Sequence, residues 1–380
     1  MKILVVSGIW PPDIGGPASH APEVAAFLRS RGHDVEVVTT AERRPHDREF
    51  RIHWISRRLP KGAIHFRTAA EIARRARGVD VVYTTGMFGR STAGATLAGT
   101  PYVVKLTADP AFERARRRGI VDGTVDEFQR REGSMMVGAL RVARDLELRR
   151  AAHVLTPSAY LRELALTWGV DPARVSVLPN PAPPVPPLLP REQLRSSLGV
   201  SGPTIVFAGR LTAQKSLTVA LNALARADGV SFLVVGEGDE RAALQRCATE
   251  AGVAERVRFF GAQPRERVLE LLAAADAMVL SSSWENFPHT VVEALAVGTP
   301  VIATDTGGVA EVVRDGENGL LVPPAEPDAL GEAICRFFAD EHLRARLTSA
   351  ATTSVADYRP ERVFGRLEEL LREVTRTLRA

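Results

Sequence analysis

Cysteine is almost missing from this chain, with two in 380 residues. Cys247 and Cys335 stand alone in helix-like segments, with no CxxC pair and no histidine at metal-ligand spacing. Neither a disulfide framework nor a zinc site is therefore expected. Lysine is nearly as scarce: Lys2, Lys61, Lys105 and Lys215 stand against 45 arginines, so a retained lysine marks a place where a compact ammonium suits better than a planar fork. No apolar run reaches the ~18 residues of a membrane span. The opening run 3–6 is too short for a secretory leader and is closely followed by Gly and Pro. A cytoplasmic protein is the default expectation. Aromatic residues are only 6% and do not interleave with the basic runs, which argues against nucleic acid as a partner.

What is present is an ordinary globular composition, 45% hydrophobic and 25% charged, in a chain long enough for two domains of roughly 100–200 residues. The halves differ in charge. Residues 1–190 hold 28 basic and 19 acidic side chains, and residues 191–380 hold 21 and 26. Short apolar runs alternate with helical patterns throughout: KILVV, VEVVT, VDVVYT, YVVKL, HVLT and VSVLP, then TIVFAG, SFLVVG, VRFFG, AMVLS, PVIAT and GLLVP. That alternation predicts an α/β protein with two doubly wound parallel sheets. Proline density in residues 179–190 predicts an extended connector. The expected division is a first Rossmann-like domain at 1–185, a second at 186–358, and a terminal helix at 359–380. The helix carries one apolar stripe and is expected to dock toward the first domain.

Three segments carry chemistry. After the first strand, GIWPPDIGGPASH places Gly15 and Gly16 before a helix start, a junction where backbone N–H groups and the helix dipole favour an anion; a plain turn is the alternative. After TIVFA, Arg210 and Lys215 lie five residues apart in one loop, suited to a pyrophosphate, unless both are merely solvated. The segment SSSWENFPHTVVEALAVGTPVIATDTGG sets Glu285 on a loop after a strand and Glu293 within the following helix. Thr290 to Glu293 also fits a capping box, which would need no ligand. The N-terminus of that helix, residues 287–291, offers a further anion site.

The run ENFPHTVVE resembles the E-x7-E motif of retaining glycosyltransferase family 4. Further matches are AGRL…K at 208–215, VVGEGDER at 234–241, VRFFG at 257–261, GTPVIATDTGGVAEVVRDGENGLLVPP at 298–324, and the glycine loop near the start. The resemblance implies the GT-B fold, two Rossmann-like domains facing across a cleft. It implies a retaining, metal-independent glycosyltransferase moving a sugar, a hexose by preference, from a UDP- or GDP-linked donor to a hydroxyl acceptor on a small molecule, glycan or lipid, with no cofactor. Gly15, Gly16, Arg210 and Lys215 would then hold the donor pyrophosphate, and Thr290 and Val291 would meet phosphate through their N–H groups. Glu293 would bind ribose hydroxyls, and Glu285, with Asn286 and Phe287 beside it, would contact the donor sugar. Glu237, Gly238, Phe260 and Gly261 would frame the base. Asp109 in KLTADPAFER matches a catalytic-loop aspartate, but Thr107 and Ala108 stand where many members carry His, so a structural role for Asp109 is equally open.

Two other classes share the features. A GT-B epimerase or phosphorylase would use the same phosphate site, the phosphorylase needing a Schiff-base lysine for which Lys105 is the spare. A binding protein would use the basic first half, Arg57, Arg58 and Lys61 or Arg114 and Arg116 to Arg118, for peripheral contact with an anionic membrane at the inner surface. The acceptor, the base and the oligomeric state are not readable.

Overall fold

The computed structural model describes residues 1–13, 16–45, 47, 49–130, 133–182 and 184–377; of residues 16–19 and 61 it describes the backbone alone. The chain forms two compact units, Met1–Pro179 with Glu361–Ala380, and Asn180–Pro360. The chain therefore passes from one unit to the other at 179/180, ahead of the prolines in which the sequence boundary at 185/186 falls.

The first unit contains β1 (Lys2–Ser7), α1 (Gly16–Ser30), β2 (Asp34–Ala41), β3 (Arg51–Ser56), α2 (Lys61–Ala76), β4 (Val81–Thr84) and α3 (Phe88–Ala98). It continues with β5 (Tyr102–Lys105), α4 (Pro110–Arg116), α5 (Val125–Arg130), α6 (Met135–Arg149), β6 (His153–Thr156), α7 (Ala159–Thr167) and β7 (Val175–Val177). The second unit contains α8 (Arg191–Leu198), β8 (Thr204–Ala208), α9 (Leu217–Leu224), β9 (Ser231–Val235), α10 (Arg241–Glu250), β10 (Val257–Gly261), α11 (Arg265–Ala274) and β11 (Ala277–Leu280). It ends with α12 (His289–Ala296), β12 (Val301–Thr304), β13 (Gly319–Val322), α13 (Pro327–Ala339) and α14 (Glu341–Ser354); α15 (Pro360–Thr377) returns the chain to the first unit.

All pairings are parallel, in the orders β3-β2-β1-β4-β5-β6-β7 and β10-β9-β8-β11-β12-β13. Each strand of a doubly covered parallel sheet is apolar on both faces, which is why VVYT, AMVL and VIAT are buried at every position. In each order the direction of winding reverses once, between β1 and β4 and between β8 and β11. The carboxyl edge of the sheet at such a reversal is where open α/β sheets take ligands. The site residues named from the second half lie on loops or helices at that edge of the sheet, apart from Phe260 and Gly261, which end β10.

Helix α15 buries Val363, Phe364, Leu367, Leu371 and Val374 in a cluster with Ile3, Trp10, Val24 and Leu28 of the first unit. Its Glu368 meets Arg31 Nε at 3.1 Å, His33 Nε2 at 3.0 Å and Arg372 Nη2 at 2.6 Å. Among the described residues no helix is long and apolar enough to cross a membrane.

Candidate functional site

The second unit builds its site by stitching three loops together through backbone hydrogen bonds. Leu211 N donates to Glu237 O at 2.9 Å, Gly209 N to Val235 O at 3.0 Å and Gly236 N to Gly261 O at 2.9 Å. This closeness needs glycine. A Cβ on Gly238 would overlap the Leu211 carbonyl, and one on Gly236, whose φ is +139°, would overlap that of Gly209. Glu237, Gly238 and Gly261 are thereby brought together: a Cβ on Gly261 would lie 2.9 Å from Glu237 Oε1. The Glu237 carboxylate pairs with Arg241. Phe260 lies under the guanidinium of Arg258, 5.0 Å from the ring centroid.

The loop after β8 is tied to the loop after β11 with equal density. Ser283 N donates to Gln214 O at 2.9 Å, Gln214 Nε2 to Trp284 O at 2.9 Å and Ser281 Oγ to Lys215 O at 3.0 Å. These bonds set Lys215 Nζ 2.5 Å from Glu285 Oε1, which also accepts from Ser282 Oγ at 2.7 Å. The ion pair is largely shielded, with side chains 18% and 7% exposed. At low local dielectric such a charge-assisted pair holds its geometry better than a solvated one. Glu285 is fixed from the other side as well. Gly308 N donates to Glu285 O at 2.9 Å, and Gly307, at φ +54°, passes so close that a Cβ would overlap the same oxygen.

Lys215 and Glu285, assigned separately to phosphate and sugar from the sequence, are thus one unit at the reversal between β8 and β11. Arg210, in the same loop, is exposed and joins no ion pair among the described residues. Helix α12 begins at His289 behind Pro288 and has no side-chain cap, so the capping box read at Thr290 and Glu293 does not form. Its first N–H groups divide. Val291 N donates to Pro288 O at 3.0 Å. The Thr290 N–H has no acceptor among the described residues. Asn286 Oδ1 is buried and unpartnered, and Phe287 packs edge-on against His289 with centroids 5.4 Å apart. Glu293 lies 3.5 Å from Arg265 Nη2. Burial pushes its carboxyl above the ordinary glutamate range, against the pull of Arg265.

Within the first unit, Gly16 opens α1 and Gly15 lies outside the described residues. Asp109 is a correction. It is fully buried as the N-cap of α4, accepting from Ala111 N at 2.8 Å, Gln129 Nε2 at 2.9 Å and Arg144 Nη1 at 2.9 Å. Arg144 itself stacks on Trp168 at 4.0 Å. With both carboxylate oxygens taken and no surface open, Asp109 organises its loop and touches no substrate. Lys105, the spare for a Schiff base, is also fully buried, donating to Leu178 O; burial pushes its amine down to about 7. Arg57, read as part of a basic run, pairs with Asp13 and donates to Thr40 O. Among the described residues no group of His, Cys, Asp or Glu is arranged to hold a metal ion.

Sequence reasoning passed over Ser282, Gln214, Gly307, Gly308 and Arg265 as functional positions. The adjacent glycines after β12 were the one available signal, since a GG pair at the carboxyl end of a parallel strand implies close backbone approach.

Comparison with known proteins covers both units. The model of "Glycosyl transferase 4-like domain" matches residues 15–181 and that of "Glycosyl transferases group 1" matches 191–354. A lipopolysaccharide core biosynthesis glycosyltransferase, LpsE, of Rhizobium meliloti is 40% identical over 145 residues, 38% of this chain and 42% of that one. An uncharacterized glycosyltransferase of Methanocaldococcus jannaschii is 27% identical over 93% of both chains. The chain thus spans less than half of the first relative and nearly all of the second. Among solved structures, sucrose-phosphate synthase of Thermosynechococcus elongatus superposes with TM-score 0.79 at 22% identity over 99% of both chains. HepE of Anabaena, solved with UDP, superposes with TM-score 0.80 at 21% identity over 98% of this chain and 100% of that one. Two parallel-sheet units with these matches make the chain a member of the group 1 glycosyltransferases with the GT-B fold.

Proposed function

We propose that the protein transfers a sugar, a hexose by preference, from a nucleoside-diphosphate donor to a hydroxyl acceptor with retention at the anomeric carbon and without a metal ion. The observation that carries this reading is the shielded Lys215–Glu285 pair at the β8/β11 reversal, with Arg210 free in the same loop and the Thr290 N–H open nearby in sequence. HepE, similar in fold, has been solved with UDP and with UDP-glucose, which supports a uridine donor.

The chemistry follows from charge. As the bond between the anomeric carbon and the leaving phosphate oxygen breaks, negative charge grows on the diphosphate. Lys215 and Arg210 stabilise that charge more than the ground state, which is what lowers a barrier. The acceptor oxygen forms its new bond on the face the diphosphate leaves, and its proton passes to a phosphate oxygen. No side-chain nucleophile is needed. Glu285, held by Lys215, Ser282 and Gly308, is rigid enough to orient a sugar hydroxyl, and Glu293 binds the ribose.

The test is a panel of UDP-, GDP- and ADP-sugars with mixed hydroxyl acceptors in the presence of EDTA, scored by thermal shift and then by mass spectrometry and proton NMR of the product. Retained anomeric configuration and undiminished turnover in EDTA are expected. An inverted product, or an epimerised donor formed without acceptor, overturns the reading.

A further inference from the structure

Arg90, in the first turn of α3, is a cation without a counter-charge. It is half-buried, and its guanidinium joins no ion pair or hydrogen bond among the described residues. Burial and the neighbouring guanidinium of Arg114 both push its pKa down. Helix α3 packs on α2, α6, β4 and β5, and every carboxylate on those elements is already engaged. Glu71 of α2 is held by Arg74 at 2.7 Å and Arg75 at 3.0 Å. On α6, Glu147 is held by Arg114 Nη2 at 2.8 and 3.1 Å and Asp145 by Arg144 at 2.9 Å; β4 and β5 carry no acid. On α4, Glu113 is not among the charges acting on Arg90. A half-buried charge left this way costs free energy until something brings the opposite charge.

The place is one that takes ligands. Arg90 follows the carboxyl end of β4, at the β1/β4 reversal of the first sheet. The loop before it is pinned: Thr84 Oγ1 donates to Gly86 O at 2.5 Å and lies 3.0 Å from Ser91 Oγ, and a Cβ on Gly86 would come within 3.4 Å of Gly8 N in the loop after β1. Met87, which opens α3 without a side-chain cap, is held at a left-handed φ of +56°, and such strain gathers at ligand sites. Thr85 Oγ1, two residues earlier, is buried without a partner. Two neighbouring guanidinium groups repel, and a dianion relieves both better than one carboxylate does. A phosphate monoester fits, because its oxygens can accept an arginine fork and free helix N–H groups together.

We propose that Arg90, with the uncapped start of α3, binds a phosphate monoester carried by the hydroxyl acceptor. Naming the acceptor rests on the transferase reading; binding of phosphate at Arg90 does not. The experiment is calorimetric titration of inorganic phosphate into the full chain saturated with UDP, for wild type, Arg90→Gln and the exposed control Arg117→Gln. Arg90→Gln should weaken phosphate roughly ten- to a hundredfold, with UDP affinity unchanged and Arg117→Gln equal to wild type. Without phosphate the Arg90→Gln protein should melt no lower than wild type, since its change orphans no acid, and added phosphate should raise the melting temperature of wild type more than that of the variant. A second arm offers sugars and polyols with and without phosphate, soluble and lipid-borne in turn. The phosphorylated members should be glycosylated, with Arg90→Gln raising their KM and sparing kcat, and the turn in which product forms tells a soluble phosphate from a lipid-borne one. Wild type that binds no phosphate, binding equal in wild type and Arg90→Gln, or an equal loss in Arg117→Gln overturns the proposal, as does preferred transfer to unphosphorylated acceptors. Failure of UDP to bind would instead overturn the transferase reading, and the phosphate titrations of wild type and Arg90→Gln would still decide the site.

Discussion

Lys215 and Glu285 show what one side chain does to its neighbour's freedom. The ammonium is the only cation paired with Glu285 among the described residues, and the carboxylate is 7% exposed. Lys215→Ala should lower turnover by roughly 10²–10³-fold, the usual loss when a preorganised electrostatic donor is removed. It should also lower the melting temperature, because a shielded carboxylate is left uncompensated. Glu285→Gln removes the charge while keeping the shape, so it should spare the fold better than Lys215→Ala while still reducing transfer; circular dichroism melts beside initial rates check both. Glu293 carries a pH prediction. Burial raises its carboxyl pKa, and in the proposed role as ribose ligand it would accept hydroxyls best as the ionised form. Donor affinity should therefore fall with acidification from a pH above the ordinary glutamate range. Calorimetric titration across pH should show that limb in the wild type and lose it in Glu293→Gln.

At the scale of elements, the site is a set of loops sewn to one another, and glycine sets how tightly. Gly307 has a left-handed φ and no room for a Cβ beside the Glu285 carbonyl. Gly307→Ala should cost at least about 1–3 kcal/mol in backbone strain alone, and because the displaced oxygen belongs to Glu285, activity should fall with stability. Urea melts and rates on one preparation check this. Element content was legible in the sequence because parallel strands covered on both faces read as unbroken apolar runs; twelve such runs became β1, β2 and β4 to β13. β3 escaped because half of its positions are polar, Arg51 and His53 bonding to Glu36, so it shows no unbroken apolar run, unlike the other edge strands β7, β10 and β13. The motif around Glu285 was legible for another reason, that its residue types are unusual together. The Lys215–Glu285 pair was not: 70 residues separate the partners, and only the adjacency of β8 and β11 closes that distance. The sequence left Asp109 open between two roles for the same cause, since Arg144 and Gln129 reach it from α6 and α5.

At the scale of the molecule, α15 ties the end of the chain to its beginning. Burial draws the Glu368 carboxyl upward, but hydrogen bonds from Arg372, His33 and Arg31 outweigh it and bring its pKa to about 2. A carboxyl depressed in the folded state contributes stability that is full above its unfolded pKa and lost as pH falls toward the folded one. At 1.36 kcal/mol per pKa unit the contribution is about 3 kcal/mol. Acid titration should show wild type losing stability between about pH 5 and pH 2, and Glu368→Gln should flatten that part of the curve. The same helix has a consequence for synthesis. The second unit is one unbroken stretch, 180–360, whereas the first needs segments from both sides of it. On the ribosome the strands of the first unit emerge early, yet the partners of Ile3, Trp10 and Leu28 on α15 are made only after the whole of the second unit. The second unit needs nothing from either flank to close its core; the first keeps part of its core open until α15 has followed the second unit out.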